Sequence, residues 1–224
     1  MAGGETEVGS DGVRRCRWGS SPPEYVAYHD TEWGFPVDDD RLLFEKLCLE
    51  GFQSGLSWLT ILRKRPAFRQ AFAGFDFHAV AGFGRPDVER LLGDARIVRH
   101  RGKIESTINN ARRSIPLASE FGSLGAFFWA FEPEARQASS ASTSPESVAM
   151  AAALRRRGFT FIGPTTGYAF MQAMGIVDDH ATDCDVRALA EAARSTFARP
   201  TPQQVTRGCG CRRPFRTRTA PRDP

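Results

Sequence analysis

The chain has 224 residues, enough to bury a core in one or two domains, and its 41% hydrophobic and 25% charged content is that of an ordinary globular protein. The net charge of +4 sits at the C-terminal end, where residues 185–224 hold nine arginines against Asp185, Glu191 and Asp223, leaving the first 184 residues at −2. No apolar run approaches the ~20 residues of a membrane-spanning helix, and the Gly-rich, acidic start does not read as a signal peptide. Five cysteines are too few and too scattered for a disulfide scaffold, so a reducing cytoplasm is the expected compartment. If the folded part binds nucleic acid, it does so through local patches.

In chain order, residues 1–13 are expected to be an unpacked tail, 14–197 one folded domain, and 198–224 an unpacked tail rich in Arg, Pro and Thr. Glu132–Ser147, with its Ala-Ser-Ser-Ala-Ser-Thr-Ser run, reads as a surface loop. Asp38–Asp40 predicts the cap of a helix carrying Leu42, Leu43, Leu47 and Leu49 and ending near Gly51. Ser54 or Ser57 opens another, through Leu59 and Leu62, with Pro66 as its stop. Asp87–Leu92, Lys103–Ile115 and Leu124–Phe131 keep the same 3.6-residue period. Ser144-Pro145 starts a helix that runs past Leu154 to Gly158. No stretch alternates with period two over strand length, so the predicted fold class is all-α.

Cys16 and His29 lie 12 residues apart in the gap between them, and His180 and Cys184 stand at i, i+4, on one face of a helical turn. Two thiolates and two imidazoles make a closed tetrahedral shell suited to structural zinc. On spacing alone, two unrelated Cys/His pairs are an equal reading. Cys48 falls on an apolar helix face and reads as core; Cys209 and Cys211 read as idle tail thiols, and His78 and His100 as surface or capping residues.

Phe161 through Gly175 contains a Gly163-Pro164 turn followed by a helix start at Thr165 or Thr166. This fits a helix–hairpin–helix whose backbone N–H groups would meet a DNA phosphate, and equally an ordinary helical corner. Arg155-Arg156-Arg157 tilts the reading toward phosphate; Arg99-His100-Arg101-Gly102-Lys103 could also grip a backbone, with solvated charge as the default. Trp18, Tyr25, Tyr28, Trp33, Phe52 and Trp58 crowd the first sixty residues. Glu50 lies at a helix C-terminus, the unfavourable end of the dipole for a carboxylate. Aromatic faces with one carboxylate are equipment for a flat, positively charged heterocycle.

Together, Arg15–Gly19, Tyr25–Gly34, Leu43–Gly51, Gln53–Trp58, Arg99–Ile104 and Phe159–His180 resemble the type I DNA-3-methyladenine glycosylases over about residues 14–184. The resemblance implies an all-α helix–hairpin–helix glycosylase fold with a zinc clamp joining the N- and C-terminal segments, its ligands matching Cys16, His29, His180 and Cys184. It implies that Glu50 and Tyr28 hydrogen-bond the base, that Trp58 and Tyr25 stack on it, that Trp18 lines the pocket, and that Leu56 fills the gap left by the flipped nucleotide. Gly163, Pro164 and Thr165 would hold DNA. The implied substrate is 3-methyladenine in double-stranded alkylated DNA, with a monomeric bacterial enzyme associated with the nucleoid through DNA. A cationic base leaves as a neutral one and needs no general acid.

Relatives with lyase activity carry a Lys on the helix after the hairpin; here the lysines are Lys46, Lys64 and Lys103, and Gly167 and its neighbours stand there instead. A monofunctional glycosylase is expected. Asp178 reads as the cap of the last helix, with a catalytic carboxylate as the alternative. The rival function is a zinc-stapled DNA-binding module without chemistry, and Phe52 and Ser54 are positions that could tune base preference.

Overall fold

The computed structural model describes residues 5–134 and 141–202. Two three-residue strands, β1 (Thr6–Val8) and β2 (Arg14–Cys16), pair antiparallel with Thr6 opposite Cys16. Residues 5–13, expected to belong to an unpacked tail, are therefore packed. Arg15, buried, grips Asp30 at 2.7–2.9 Å and Asp11 at 2.7–2.9 Å, while the Arg14 backbone N–H donates to Asp185 at 2.7 Å. Strands this short carry too few residues to display a period-two pattern.

Ten α-helices and two three-residue 3-10 turns, Arg17–Gly19 and Ala73–Phe75, make up the rest of the regular structure among the described residues. The first is α1 (Pro23–Thr31), which holds Tyr28 and His29. The central one is α2 (Asp40–Gln53), opened by Asp39, whose carboxylate accepts from Leu42 N–H at 2.8 Å. Its ten consecutive residues from Leu43 to Phe52 are all buried because α3 (Trp58–Ala71), α6 (Arg101–Phe121), α7 (Leu124–Trp129) and α9 (Pro164–Ala173) surround it. Ser57 caps α3, as expected, but Pro66 does not stop it. An interior proline costs about 3 kcal/mol; burial of Phe68, Ala71 and Phe72 beyond it offsets that, at roughly 2–3 kcal/mol for each phenylalanine.

The short α4 (Phe77–Ala81) and α5 (Arg85–Gly93) pack on α6, which runs through Pro116 to a left-handed Gly122. Then α8 (Pro145–Arg156), started by a Ser144–Ser147 capping box, packs tightly against α9. A methyl group on Gly167 would lie 3.1 Å from Met150 Cε, so the smallest residue stands where the two helices touch. The chain ends its described part with α10 (Asp185–Thr196), which buries Val186 and Ala190. Packing continues past it: Phe197 lies 4.6 Å from the Trp129 ring, and Arg199 pairs with Glu132 at 2.9 Å. Residues 203–224, with Cys209 and Cys211, and residues 135–140 of the Ser-rich loop lie outside the described residues. No described helix is long and apolar enough to cross a membrane.

The turn after α9 ties this helix to the N-terminal half. Gly34 N–H donates to Gln172 C=O and Val37 N–H to Met174 C=O, and Gly175 adopts φ +66° against the Phe35–Pro36 peptide. A Cβ there would sit 2.4 Å from Phe35 C and O, both backbone atoms that cannot turn aside. Gly175→Ala is expected to lower unfolding free energy by about 3 kcal/mol or more. Urea denaturation measures this; a loss below about 1 kcal/mol would show that the junction yields.

Candidate active site and metal cluster

Four elements build a cleft at the C-terminal end of α2. From α1 comes Tyr28, from α2 Glu50 and Gln53, from the start of α3 Trp58, and from α9 Ala169, Gln172 and Ala173, with Trp33 behind. The free space is about 30 Å³, room for a water molecule or two. A purine enters only if side chains move. Tyr28 and Trp58 rings stand 5.4 Å apart at 46°, and Gln172 is fixed by Asp179, which accepts from its amide and from the Tyr168 hydroxyl, both at 2.7 Å.

Of the residues singled out in the sequence, Glu50, Tyr28 and Trp58 share this cleft. Tyr25 and Trp18 stand beside it: the Tyr25 hydroxyl accepts from Leu59 N–H at 2.9 Å, and Trp18 packs edge-on against Tyr25, His29 and Trp33 at 4.9–5.8 Å. Gln53, Gln172 and Trp33 were not anticipated. The signal for Gln172 was its place one helical turn past Tyr168 in an otherwise apolar helix.

A buried cation lies against three of the cleft's residues. Lys46, one turn before Glu50, donates to the Tyr28 hydroxyl at 2.6 Å and lies 3.8 Å over the Trp58 ring and 3.9 Å from the Glu50 carboxylate. Burial pulls Lys46 down to about 8 against the opposing field of Glu50. Burial pushes Glu50 up, partly countered by Lys46, and pushes Tyr28 well up, with Glu50 adding to it.

Some 130 residues after Glu50 in sequence, both ends of the domain converge. Ligand atoms of Cys16, His29 and Cys184 all lie within 4.8 Å of one another and are buried. Cys184 Sγ is 3.7 Å from His29 Nε2, and Cys16 Sγ accepts from Ala181 N–H at 3.3 Å. The Cys184 thiol is held low, to about 4, first by its hydrogen bond with Cys16 and then by His29, while Cys16 moves up. His180 stands beside this cluster, its ring 4.9 Å from that of His29 and edge-on to it. Each histidine has its Nδ1 on a carboxylate, His29 on Asp30 at 2.8 Å and His180 on Asp178 at 2.6 Å. That leaves Nε2 as the lone-pair nitrogen of each, and His180 Nε2 is buried without a hydrogen-bond partner. Asp178 therefore does not cap the last helix; Cys184 occupies that cap position, and Asp178 also accepts from His180 N–H at 3.0 Å.

The loop before α9 turns through Gly158 and Phe161, both at positive φ, to Gly163 at the helix cap. Gly163 contributes no side-chain cap, and Pro164 and Thr165 follow it at the surface end. Arg155 and Arg156 are exposed nearby, whereas Arg157 packs over Phe121 and Phe127. Leu56 is 41% exposed on the Gly55 turn at the other side of the cleft mouth residue Gln53, to whose carbonyl its N–H donates at 2.7 Å. In the other basic cluster His100 caps Lys103 N–H, and Lys103 points inward onto the Phe52 and Ser54 carbonyls.

A profile of the methyladenine glycosylase family matches residues 18–188. The chain belongs to this family. It is 46% identical to DNA-3-methyladenine glycosylase 1 of Escherichia coli over 179 residues, 77% of this chain and 96% of that protein. It is 42% identical to the DNA-3-methyladenine glycosylase of Haemophilus influenzae, with 76% and 96% covered. The structure of the Staphylococcus aureus 3-methyladenine DNA glycosylase I, solved for its recognition of 3-methyladenine, superposes with a TM-score of 0.73 at 34% identity, covering 77% of this chain and 96% of that one. The protein is thus a glycosylase, a hydrolase of N-glycosyl bonds, and the Glu50 cleft is the candidate active site of a family member.

Lys46 binds fewer protons folded than unfolded between pH 8 and its ordinary 10.5. Stability contributed through it therefore rises with pH across that window, with a slope of up to about 1.4 kcal/mol per pH unit. Unfolding free energies of the native protein and Lys46→Met, measured against pH, should diverge accordingly; parallel curves would mean that Lys46 titrates normally.

Proposed function

We propose that this glycosylase flips 3-methyladenine out of alkylated duplex DNA and hydrolyses its glycosidic bond, leaving an abasic site. The observation that carries the reading is the buried Glu50 carboxylate set beside the faces of Tyr28 and Trp58 in one cleft. A carboxylate deprived of water needs a cation beside it, a place Lys46 holds at 3.9 Å in the free protein, and N-methylated adenine in DNA is a flat cation. Trp58 stacks on the base, Glu50 and Tyr28 hydrogen-bond its edge, and Tyr25 and Trp18 back the pocket wall. As the bond to the sugar breaks, the base becomes neutral, so no general acid is required and water attacks the sugar carbon. A pocket that favours the cationic base over adenine supplies selectivity, and positioning supplies much of the rate.

DNA is held by a helix–hairpin–helix formed by α8, the loop and α9, with the N–H groups behind Gly163, Pro164 and Thr165 meeting a phosphate. Leu56, exposed on its Gly turn, fills the space of the flipped nucleotide. The enzyme is monofunctional, because the helix after the hairpin, α9, offers no lysine. It acts as a monomer in the cytoplasm of a bacterium, associated with the nucleoid through DNA.

The Cys16, His29, Cys184 cluster and the adjacent His180 fit one structural zinc. Two thiols, one of them held low, and two carboxylate-backed imidazoles, with His29 Nε2 turned to Cys184 and His180 Nε2 unpartnered, are the donor set such an ion takes. When bound, zinc supplies structural cross-linking and no chemistry, since four protein ligands leave no place for water.

The deciding assay is chromatography of bases released from methylated duplex DNA. The protein should release 3-methyladenine, Glu50→Gln should lose at least ~100-fold of that rate with its helical signal intact, and borohydride should trap no covalent adduct. Unchanged release by Glu50→Gln would take Glu50 out of the site, and a trapped adduct would overturn the monofunctional reading.

For the metal, elemental analysis should find one zinc per chain, and Asp178→Asn should weaken zinc retention by roughly 10–100-fold while leaving the per-zinc excision rate nearly unchanged. Equal retention by Asp178→Asn, with excision lost, would make Asp178 a catalytic carboxylate instead.

A further inference from the structure

The glycosylase reading gives no task to Lys46, although its ammonium touches three of the residues that line the cleft. The other two lysines are committed to backbone carbonyls: Lys64 to Ala95 and Arg96 at 3.2 and 2.9 Å, Lys103 to Phe52 and Ser54 at 2.9 and 2.6 Å. Lys46 Nζ lies 3.8 Å from the Trp58 ring centre, 2.6 Å from the Tyr28 hydroxyl and 3.9 Å from Glu50. These are the stacking face, the hydrogen-bonding hydroxyl and the countercharge assigned above to the flipped base. The ammonium stands in the electrostatic place of a cationic ligand, and the cleft has only about 30 Å³ to spare. The Lys46 side chain itself lines a neighbouring pocket of about 270 Å³, shared with Glu32, Phe35, Glu45, Arg65 and Met174 among others. Lys46 thus has both a reason to leave and a space to enter.

We propose that Lys46 is an internal cation that keeps the base seat in the free enzyme and yields it, charge for charge, to the cationic methylated base by turning into the neighbouring pocket. This rests on the reading of the Glu50 cleft as a base site. Its consequence is selectivity. A cationic base replaces the charge that Glu50 loses when the ammonium departs, whereas neutral adenine would leave the carboxylate buried and unpaired, a strongly unfavourable state. Lys46 is here a specificity residue and takes no part in bond breaking.

The groups around both positions decide in which form it retreats. Tyr28 faces it from α1, Glu32 from the end of α1, Glu45 and Glu50 from α2, and Arg65 and Arg69 from α3. Glu32 already pairs with Arg65 at 2.6 Å, and Glu45 with Arg69 at 2.8 Å. The second pocket has no unpaired carboxylate to receive a third cation, so Lys46 enters it as the neutral amine and its proton passes to solvent. Burial has already brought Lys46 down to about 8, which keeps that loss small near neutral pH.

The test is single-turnover excision of 3-methyladenine from methylated duplex DNA between about pH 6.5 and 9, with native protein, Lys46→Met and Lys46→Arg, alongside tryptophan emission and inhibition by free adenine. The native rate should climb roughly tenfold across the range, the size expected when a cation–π contact of one to two kcal/mol is released. Native emission should step near pH 8, because the cation over Trp58 disappears. Lys46→Met should be faster near neutrality, flat with pH, without the emission step, and about tenfold more sensitive to adenine. Lys46→Arg, a permanent cation, should be slow at every pH. Should Lys46→Met fail to fold, the native emission step and the Arg variant still decide the matter. Parallel pH profiles for native and Arg proteins, with no emission step, would overturn the proposal. Native protein that releases no methylated base would overturn the glycosylase substrate instead, and the emission step and adenine inhibition would still report on Lys46.

Discussion

Cys16 and His29 meet Cys184 within 4.8 Å, with His180 at their edge, and this junction joins segments about 150 residues apart in the chain. Its reach extends well beyond four side chains. His29 is the residue after Tyr28, so whatever anchors the imidazole also fixes the phenol that faces Glu50. His180 follows Asp179, which holds Gln172 and Tyr168 on α9. The two walls of the cleft are thus attached to one buried junction of side chains, and the β1–β2 ribbon, bonded through Arg14 to the start of α10, closes over it.

Against this rigid frame the cleft carries an unusual electrostatic load. Glu50, Lys46 and Tyr28 are all buried, and burial moves each away from its ordinary titration, Glu50 and Tyr28 up and Lys46 down. Pairing inside the cleft keeps this tolerable: carboxylate near ammonium, ammonium on phenol and over indole. A site so arranged is stable with a cation present and poorly stable without one, which is a selection rule for ligands written in charge rather than in shape.

Much of the helical order was legible along the chain because the caps are local. Asp39, Ser57 and Ser144 each accept from a backbone N–H three residues on, and such signals survive without tertiary context. Pro66 misled for the opposite reason: a proline stops a helix only when nothing downstream holds it, and the buried Phe68 and Phe72 do. Asp178 misled because its acceptor role is spent on His180, a partner two residues away whose ring orientation no linear pattern reveals. The β1–β2 ribbon was invisible since three residues are too few to show alternation.

From sequence alone came the residue types and their local spacing: two Cys/His pairs, a carboxylate at a helix end amid aromatics, a Gly-Pro turn before a helix, and a family resemblance dense enough to order them. These depend on neighbours in the chain and on helical period. The tertiary structure alone decided that Tyr28, Glu50 and Trp58 share one cleft while Tyr25 and Trp18 stand beside it. It also decided that Gln172 enters the cleft from α9, and that Lys46 lies over the indole. Those outcomes follow from how α2 is enclosed by α3, α6, α7 and α9. A helix enclosed along ten consecutive residues turns all ten inward, polar ones included, and only the packing of its neighbours determines what each of them meets.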